Sequence, residues 1–541
     1  MDTKRIIIAA CLSAVVGLTV QAQSRHQSTF DSIRIERWKT FNKARTEALR
    51  QYNKAVREAW RQFKGEPAMQ EPEEEQVLPV MVDENGAETA SFWDGVKNLF
   101  RKKGKKEPRR ARLKPVVGNG DALNVGRQMP SAPAPPQPKS LFEVADVPRQ
   151  VQRPNSYKAY NLFGLTCKIR IGENCRVELR RLSPNDVADA MMAFEEPQFA
   201  NMLHDCLEVR KQYKLSDWAY YLLLQKVVDD FYGKNTNNGA LVLSYLYSQS
   251  GYKMRLVYDD TRLMMLAACY HTIYGKDYTF ADYPDTKARY YLLDGRRLGT
   301  GTIYICNARW PKESSMSLQL TAEQAFLMSK APQRTIRSRR NADFAFTITA
   351  NKNYIDFYDT YPSACIGDNF MTKWQMYAET PLEKGIRDQL YPAMRQKLQG
   401  YSEVEAVRQL LWWTSGYLDD QRQNAHPEYL QYANDDDVWG TDRAFFGEET
   451  LFYPWCDCED RAILFSHLVR DIVGLDVALV YYPGHLATAV AFTQPVRGDY
   501  YETKDGRHFT VCDPTILVGD IGMTMDLVAG QPATLMILKR R

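Results

Sequence analysis

The chain has 541 residues, of which 44% are hydrophobic, 12% aromatic and 25% charged. This composition is typical of a soluble globular protein, and the length suggests about three domains. It excludes a collagen, a wholly disordered chain and a disulfide-dense miniprotein, and the net charge of +4 gives no indication of nucleic-acid binding. A helix that spans a bilayer needs about 20 apolar residues. No apolar run after the first 25 residues is nearly that long, so we expect no transmembrane span in the mature chain.

The first 22 residues have the pattern of an export signal. Lys4-Arg5 is a short positive region, residues 6–20 are apolar, and small residues follow near Ala22. This pattern predicts a cleaved signal peptide over residues 1–22 and an exported protein, periplasmic or extracellular. Residues 8–11 also resemble a lipobox, which would make Cys11 a lipid anchor. That alternative is less favoured, because few apolar residues precede Cys11 and the apolar run continues past it.

Two segments follow the signal before the folded region begins. Apolar residues at steps of three or four over 28–64 predict a helical module in residues 23–66. Residues 67–156 are rich in charge and proline, which predicts a disordered linker. Its basic stretch over 101–110 could bind anionic lipid or polysaccharide of the envelope, but a solvated flexible run is favoured.

The remaining residues have the patterns of folded protein. Residues 161–181 alternate enough to predict strands, and helical patterns cover 215–232 and 402–418. The segments FAFTITA and YIDFYD, within 340–372, have strand patterns. We therefore expect a β-rich connector over 316–380, between domains at 157–315 and 381–541.

Residues 239–258 and 461–481 resemble each other at low identity. Chance could produce any one match, but their shared order favours an internal duplication. The aligned pairs are Ala240 with Ala462, Ser244 with Ser466, Leu246 with Leu468, Gly251 with Gly474, Leu256-Val257-Tyr258 with Leu479-Val480-Tyr481, Asp294-Gly295-Arg296 with Asp505-Gly506-Arg507, and Cys306 with Cys512.

The second copy contains the candidate catalytic residues. An apolar stripe from Ala462 to Ile472 predicts a helix that begins near Cys458. The partial positive charge and N–H groups of a helix N-terminus favour a thiolate and could stabilise an oxyanion. Glu459 and Asp460 would oppose the thiolate if they faced the sulfur, but we expect them to point to solvent or to a structural arginine.

A thiolate nucleophile needs a base and a group that orients the base. His485 opens a strand after the turn Pro483-Gly484, and Asp513 follows another strand. His467 is nearer in sequence but lies on the far side of the helix from Cys458. Cys512 and Asp513 point to opposite strand faces, so only one of them can join a site.

These elements resemble the transglutaminase-like cysteine peptidase superfamily, with its pattern Gly-Asp-Cys-x-Asp-x-Ala followed by a His and an Asp. The resemblance covers about residues 400–541 and rests on Cys456–Ala462, Pro483-Gly484-His485 and Asp513-Pro514-Thr515. It implies an α+β papain/transglutaminase-like fold, in which a catalytic helix packs on an antiparallel sheet. Cys458 would be the nucleophile, His485 the general base and acid, and Asp513 the residue that orients the imidazole.

Two positions depart from the family pattern. Cys456 stands where the family usually has glycine, and Leu486 where many members have valine or alanine followed by tryptophan. Neither change removes a catalytic atom. Cys456 could form a redox-sensitive, strained pair with Cys458. The first copy has Thr236, Arg262 and Asn307 where the second has its triad, so we expect residues 157–315 to be a degenerate domain for scaffolding or substrate binding.

Two metal sites are conceivable and neither is favoured. A zinc site of Cys456, Cys458, His485 and Cys512 has poor ligand spacing. Asp435-Asp436-Asp437 lacks the spacing of a calcium loop, so we expect a solvated acidic loop there. Thiol–imidazole chemistry needs no cofactor, and none is expected.

The sequence thus predicts acyl transfer through a thioester on Cys458, with hydrolysis of a peptide or amide favoured. The partner would be a protein or peptide substrate, and an envelope partner could bind the degenerate domain or the basic linker. A protein-crosslinking acyltransferase and a non-catalytic envelope binding or assembly protein stay open as alternatives. The bond acted on and the oligomeric state are left open.

Overall fold

The computed structural model describes residues 125–129 and 157–540, except 260, 275–278, 283–288, 297, 299–302, 307–313, 321–323, 367–368, 418–425 and 439–442. The predicted signal peptide with Cys11, the helical module and Asn307 lie outside the described residues. Of the predicted linker, only 125–129 is described. These five residues form a strand, so a disordered linker is wrong at that point.

The first copy begins with a hairpin and continues as helices followed by a sheet. Serine and threonine side chains cap three of the helices described in this copy: Ser183, Ser216 and Thr236 each accept a hydrogen bond from a first-turn N–H. The elements are β2 (Tyr157–Leu162), β3 (Leu165–Arg170), α1 (Pro184–Met192), α2 (Pro197–Tyr213), α3 (Asp217–Tyr232), α4 (Asn237–Gln249), β4 (Met254–Tyr258), β5 (Leu263–Cys269), β6 (His271–Ile273), β7 (Thr279–Asp282), β8 (Arg289–Leu292) and β9 (Tyr304–Cys306). Strand β1 is the linker strand Val125–Met129.

The connector mixes strands and helices, so the expectation of a β-rich connector is wrong. Strands β10 (Arg334–Arg337) and β11 (Ala345–Ile348) form a hairpin, and β12 (Ala364–Ile366) pairs with β6. Between them the segment YIDFYD lies in helix α5 (Lys352–Tyr358), which Asn351 caps. Helix α5 buries Tyr354, Ile355, Phe357 and Tyr358. The packing of these side chains overrides their preference for a strand. Helix α6 (Met371–Glu379) follows.

The second copy again places helices before a sheet. Its elements are α7 (Lys384–Lys397), α8 (Glu403–Ser415), β13 (Gln431–Tyr432), α9 (Asp435–Val438), α10 (Gly447–Phe452), β14 (Trp455–Cys456), α11 (Cys458–Leu468), β15 (Asp476–Tyr482), β16 (His485–Ala491), β17 (Tyr500–Glu502), β18 (His508–Val511) and β19 (Ala533–Ile537). A π-helical turn, Val469–Val473, extends α11. Helix α11 packs against β15 and β16, and α6 and α8 pack against α11.

The two copies share one sheet topology. The first sheet has the order β7-β8-β5-β4-β9, and the second has β17-β18-β16-β15-β19, with β1 added in parallel to β19. Within the five equivalent strands every neighbouring pair is antiparallel in both copies. Helices α4 and α11 pack on the equivalent central hairpins. The same unit, one helix followed by a five-stranded sheet of the same topology, therefore occurs twice.

Strand register tests the sequence alignment of the copies. Tyr258 pairs with Leu263 as Tyr481 pairs with Leu486, so Arg262 holds the position of His485, as the alignment predicts. The match of Asp294-Gly295-Arg296 with Asp505-Gly506-Arg507 is wrong, and so is the match of Cys306 with Cys512. Cys306 lies on β9 beside β4, whereas Cys512 follows β18 beside β16.

The register also identifies the residue that matches Asp513. Leu266 of β5 pairs with Leu292, and the equivalent residue of β16, Ala489, pairs with Val511. Asp294 follows Leu292 by two residues, and Asp513 follows Val511 by two residues. Asp294, rather than Asn307, is therefore the counterpart of Asp513.

One hydrophobic core runs through both copies and the connector, from Tyr160 to Leu538. The boundaries predicted at 315 and 380 therefore do not separate the buried core. Among the residues that the structure describes, no helix combines the length and the apolar character needed to cross a bilayer.

Candidate active site

Helix α11 begins at Cys458 because Asp457 caps it. The Asp457 carboxylate accepts a hydrogen bond from the N–H of Glu459 at 3.1 Å, and the N–H of Asp457 donates to the Asp460 carboxylate at 3.1 Å. In this reciprocal capping box the Asp457 carboxylate also accepts the N–H of Asp460. Cys458 is therefore the first helical residue, as predicted, but the N–H groups of Glu459 and Asp460 are used by the cap and not presented to an oxyanion.

Arg461 anchors the start of this helix. Its fully buried guanidinium donates to the backbone carbonyls of Ser415 at 2.7 Å and Leu430 at 2.8 Å. Longer contacts reach the carbonyls of Tyr417 at 3.4 Å and Pro514 at 3.5 Å. One side chain thus connects the helix, the end of α8 and the loop after Asp513. Sequence reasoning did not identify this role.

His485 and Asp513 meet in the sheet beside this helix. The turn Pro483-Gly484, with Gly484 at φ +81°, places His485 at the first position of β16. His485 Nε2 lies 2.7 Å from Asp513 Oδ2, and both side chains are 1% exposed. Asp513 Oδ1 also accepts the N–H of Thr515 at 2.9 Å, which fixes the carboxylate. Within the described residues, the buried Nδ1 of His485 has no hydrogen-bond partner.

Tyr482 supports the imidazole from the opposite strand. It pairs with His485 across the hairpin, and the two rings stack with centroids 6.1 Å apart and planes 16° apart. The hydroxyl of Tyr482 bonds to that of Tyr501. The sequence could have identified Tyr482. Tyr482 and His485 flank the two-residue turn Pro483-Gly484, so they must pair across the hairpin.

The thiol of Cys458 is hydrogen-bonded to the side chain of the next residue. It donates to the Glu459 carboxylate, with Sγ and Oε2 3.0 Å apart, and Cys458 is 2% exposed. The expectation that Glu459 and Asp460 face solvent is wrong, because both are buried. The positive charge of Arg443 does act on Asp460, where it partly offsets the rise of the pKa. Asp460 is fully buried and accepts the N–H of Phe445 at 2.8 Å. The structure therefore brings His485 and Asp513 together and leaves the thiol bonded to its own neighbour.

Several buried carboxyl groups surround this thiol. Burial, with the charge of Glu459, raises the pKa of Asp457 well above its usual value and that of Asp460 to about 8. Asp435 is also buried, and it accepts the N–H of Arg443 at 2.9 Å, so the predicted solvated loop is wrong at this residue. At neutral pH part of the cluster carries protons, which lowers its opposition to a thiolate.

The same carboxyl groups approach each other closely enough to be compared with a metal site. Asp435, Asp457 and Asp460 offer oxygen atoms within 4.8 Å of one another, as do the ligand atoms of Asp457, Cys458 and Glu459. However, Asp435, Asp457 and Asp460 each already accept a backbone N–H. The cluster thus caps α11 and also holds the backbone of Arg443 and Phe445 beside the start of that helix.

Cys456 lies close to Cys458 in sequence but is not bonded to it. Both are free thiols, as are the other cysteines whose side chains the structure describes. The thiol of Cys456 donates to the carbonyl of Gln431 at 3.5 Å, and burial raises its pKa.

No protein-family model, curated protein or solved structure matches this chain.

Proposed function

We propose that this protein is exported and is a transglutaminase-like cysteine hydrolase, a peptidase or amidase with Cys458, His485 and Asp513 as its triad. The observation that carries the proposal is the buried 2.7 Å bond between His485 Nε2 and Asp513 Oδ2. That bond orients the ring so that Nδ1 is the nitrogen left for a nucleophile, on a strand that packs against the helix begun by Cys458. A helix that starts with a thiol, on a sheet that supplies a His–Asp pair, supports the papain/transglutaminase-like fold as part of the same proposal.

The reaction would start when the thiol exchanges its hydrogen bond to Glu459 for one to His485. Nδ1 then takes the thiol proton, and the sulfur attacks the acyl carbon of the substrate. The imidazolium, stabilised by Asp513, returns the proton to the leaving amine, and a thioester forms on Cys458. A water molecule, deprotonated at Nδ1, attacks the thioester and releases the acid and the free thiol. The proton count closes over the cycle, and no cofactor takes part.

Glu459 has a specific place in this scheme. In its present position it holds the thiol proton, and a carboxylate beside the sulfur disfavours the thiolate. The structure described here would therefore be the resting form, and substrate binding would have to displace the Cys458–Glu459 bond. Hydrolysis is favoured over transfer to an amine, because bulk water is hard to exclude and no residue that the structure describes near His485 marks an amine site.

A second candidate is a non-catalytic binding or assembly protein. The low exposure of Cys458, at 2%, and the bond of its thiol to Glu459 favour this candidate, because a substrate must reach a catalytic sulfur.

Acyl trapping distinguishes the two. The full-length protein is incubated with p-nitrophenyl acetate, and the acylated residue is located by peptide mass spectrometry. The hydrolase predicts an acetyl thioester on Cys458 that is absent in Cys458→Ala and strongly reduced in His485→Ala. Cys456→Ala is the matched control, since it removes a buried thiol two residues away and should leave the adduct in place. Absence of an adduct on Cys458, or equal labelling in His485→Ala, would refute the hydrolase.

A further inference from the structure

The end of the β10–β11 hairpin carries three exposed arginines: Arg337, Arg339 and Arg340. Two of them lie over aromatic rings at the end of helix α8. The guanidinium carbon of Arg340 is 5.0 Å from the ring centroid of Trp412, and that of Arg339 is 5.3 Å from the ring centroid of Tyr417. A guanidinium whose face lies on a ring keeps its N–H edge for a carboxylate, which two parallel N–H groups can bind at once.

Hydrogen bonds and packing fix the backbone that carries these arginines. The N–H of the buried Ser338 donates to the carbonyl of Phe344 at 2.9 Å, and the N–H of Phe344 donates to the carbonyl of Asn341 at 2.9 Å. The side-chain amide of Asn341 donates to Gln409 of α8 at 2.8 Å. The rings of Phe344 and Phe346 are buried with their centroids 4.8 Å apart. An anion that binds here therefore has to order side chains but no loop backbone.

The charges of the three arginines have no partner among the described residues. Their side chains make no hydrogen bond or ion pair there. Acidic residues on neighbouring elements are bonded elsewhere, Glu405 to Arg408 and Glu428 to His426 at 3.4 Å. Asp343 is exposed in the same turn and pairs with none of the arginines. The turn thus presents three positive charges and one negative charge to solvent, and an anionic partner fits it.

Strand alternation sets the spacing of two of the guanidinium groups. Ile336 and Ser338 are buried, whereas Arg337 and Arg339 are exposed. Residues two apart in an extended chain lie on the same face, about 6.6 Å from each other. An extended peptide has the same repeat, so acidic residues at alternate positions of a peptide match the two arginines.

We propose that this turn binds an acidic segment of a polypeptide in extended form, with carboxylates of alternate residues on Arg337 and Arg339 and a further carboxylate on Arg340. Arg461 of α11 donates to the carbonyl of Tyr417 at 3.4 Å, so the surface is connected to the start of the helix of the candidate active site. The binding is nevertheless independent of the proposed hydrolase activity, because it uses none of the triad residues.

Fluorescence anisotropy with the full-length protein tests this binding. The probes are rhodamine-labelled heptapeptides of alternating serine and glutamate, or serine and glutamine, which differ only in charge. We expect the glutamate peptide to bind at least about tenfold more tightly, which is about 1.4 kcal/mol. The double variant Arg337→Gln, Arg339→Gln should remove most of this preference. The matched control is Arg176→Gln, since this exposed guanidinium also lies over a ring, 4.3 Å from the centroid of Phe231, but already pairs with Glu173 at 3.2 Å; it should alter the Kd by no more than about twofold.

Two further ligands test the spacing and the class of partner. A heptapeptide with its three glutamates in a row should bind more weakly than the alternating peptide. Polygalacturonate supplies carboxylates on a polysaccharide, and it should bind more weakly at equal carboxylate concentration. Equal binding of the glutamine peptide or of the contiguous peptide, tighter binding of polygalacturonate, or an unchanged Kd in the double variant would overturn the proposal. Cys458→Ala should leave the binding unchanged, so failure of the hydrolase and failure of this surface are distinguishable.

Discussion

The contact between Cys458 and Glu459 makes a quantitative prediction about thiol reactivity. Unit charges at their separation of 3.0 Å interact by about 5 kcal/mol at an effective dielectric constant of about 20. Glu459→Gln removes the carboxylate charge but keeps the size of the side chain and an acceptor for the thiol. If only a quarter of that energy is realised, the thiolate population at neutral pH rises by about tenfold. We therefore expect alkylation of Cys458 in Glu459→Gln to be at least about tenfold faster.

The assay is alkylation by iodoacetamide at pH 7, followed at each cysteine by mass spectrometry because other buried thiols surround the site. Glu459→Asp serves as the control that keeps the charge, and Cys458→Ala confirms the peptide assignment. An unchanged rate at Cys458 in Glu459→Gln would show that burial, and not the neighbouring carboxylate, controls this thiol. A faster rate in Glu459→Asp as well would point to loosened packing instead.

Three further predictions follow from buried contacts. Asp513→Asn should lower acylation in the trapping assay by about 10²–10⁴-fold with little change in melting temperature, because the imidazole loses its orienting charge; an equal rate would remove Asp513 from the site. Burial raises the pKa of Glu448 from 4.5 to about 7, so its share of stability is present below about pH 4.5 and is lost as the pH rises through 7. Glu448→Gln should abolish that loss, on the order of 3 kcal/mol, in denaturant titrations at pH 5 and 8. Gly416→Ala should destabilise the fold by about 2–4 kcal/mol in the same titrations, since φ is +54° and a Cβ would lie 1.9 Å from the carbonyl oxygen of Leu430. Gly474→Ala, also at positive φ but facing open space, should cost less.

The repeat shows how far a short match can be trusted. The central helix and hairpin of the two copies align as the sequence predicts, because the apolar residues that pack them recur in order. The tripeptides at Asp294 and Asp505 misled the alignment, since both form a turn with glycine at φ +78°. In each turn an arginine pairs with the aspartate two residues earlier. Turn chemistry of this kind recurs wherever a tight turn is needed, so it carries little information about equivalence.

Local sequence determined where the candidate nucleophile lies. Asp457 and Asp460 form a capping box that starts α11 at Cys458, and the glycine turn before His485 starts β16. Both depend on residues within a few positions of each other, so the sequence alone predicts them. The hydrogen bond between His485 and Asp513 spans 28 residues. Its partners were predicted from the family resemblance, since strand alternation showed only that one of Cys512 and Asp513 could join the site.

Only the tertiary structure decided that the Cys458 thiol bonds to Glu459 and which strand completes the sheet. The bond between Sγ and Glu459 depends on the packing that buries Glu459 together with Cys458, and no periodicity in the chain indicates such burial. Strand β1 pairs with β19 across about 400 residues of sequence, whereas the charged, proline-rich composition around it predicts a linker. The sequence thus determined which groups are present and where helices and strands begin, while long-range packing determined which of those groups touch.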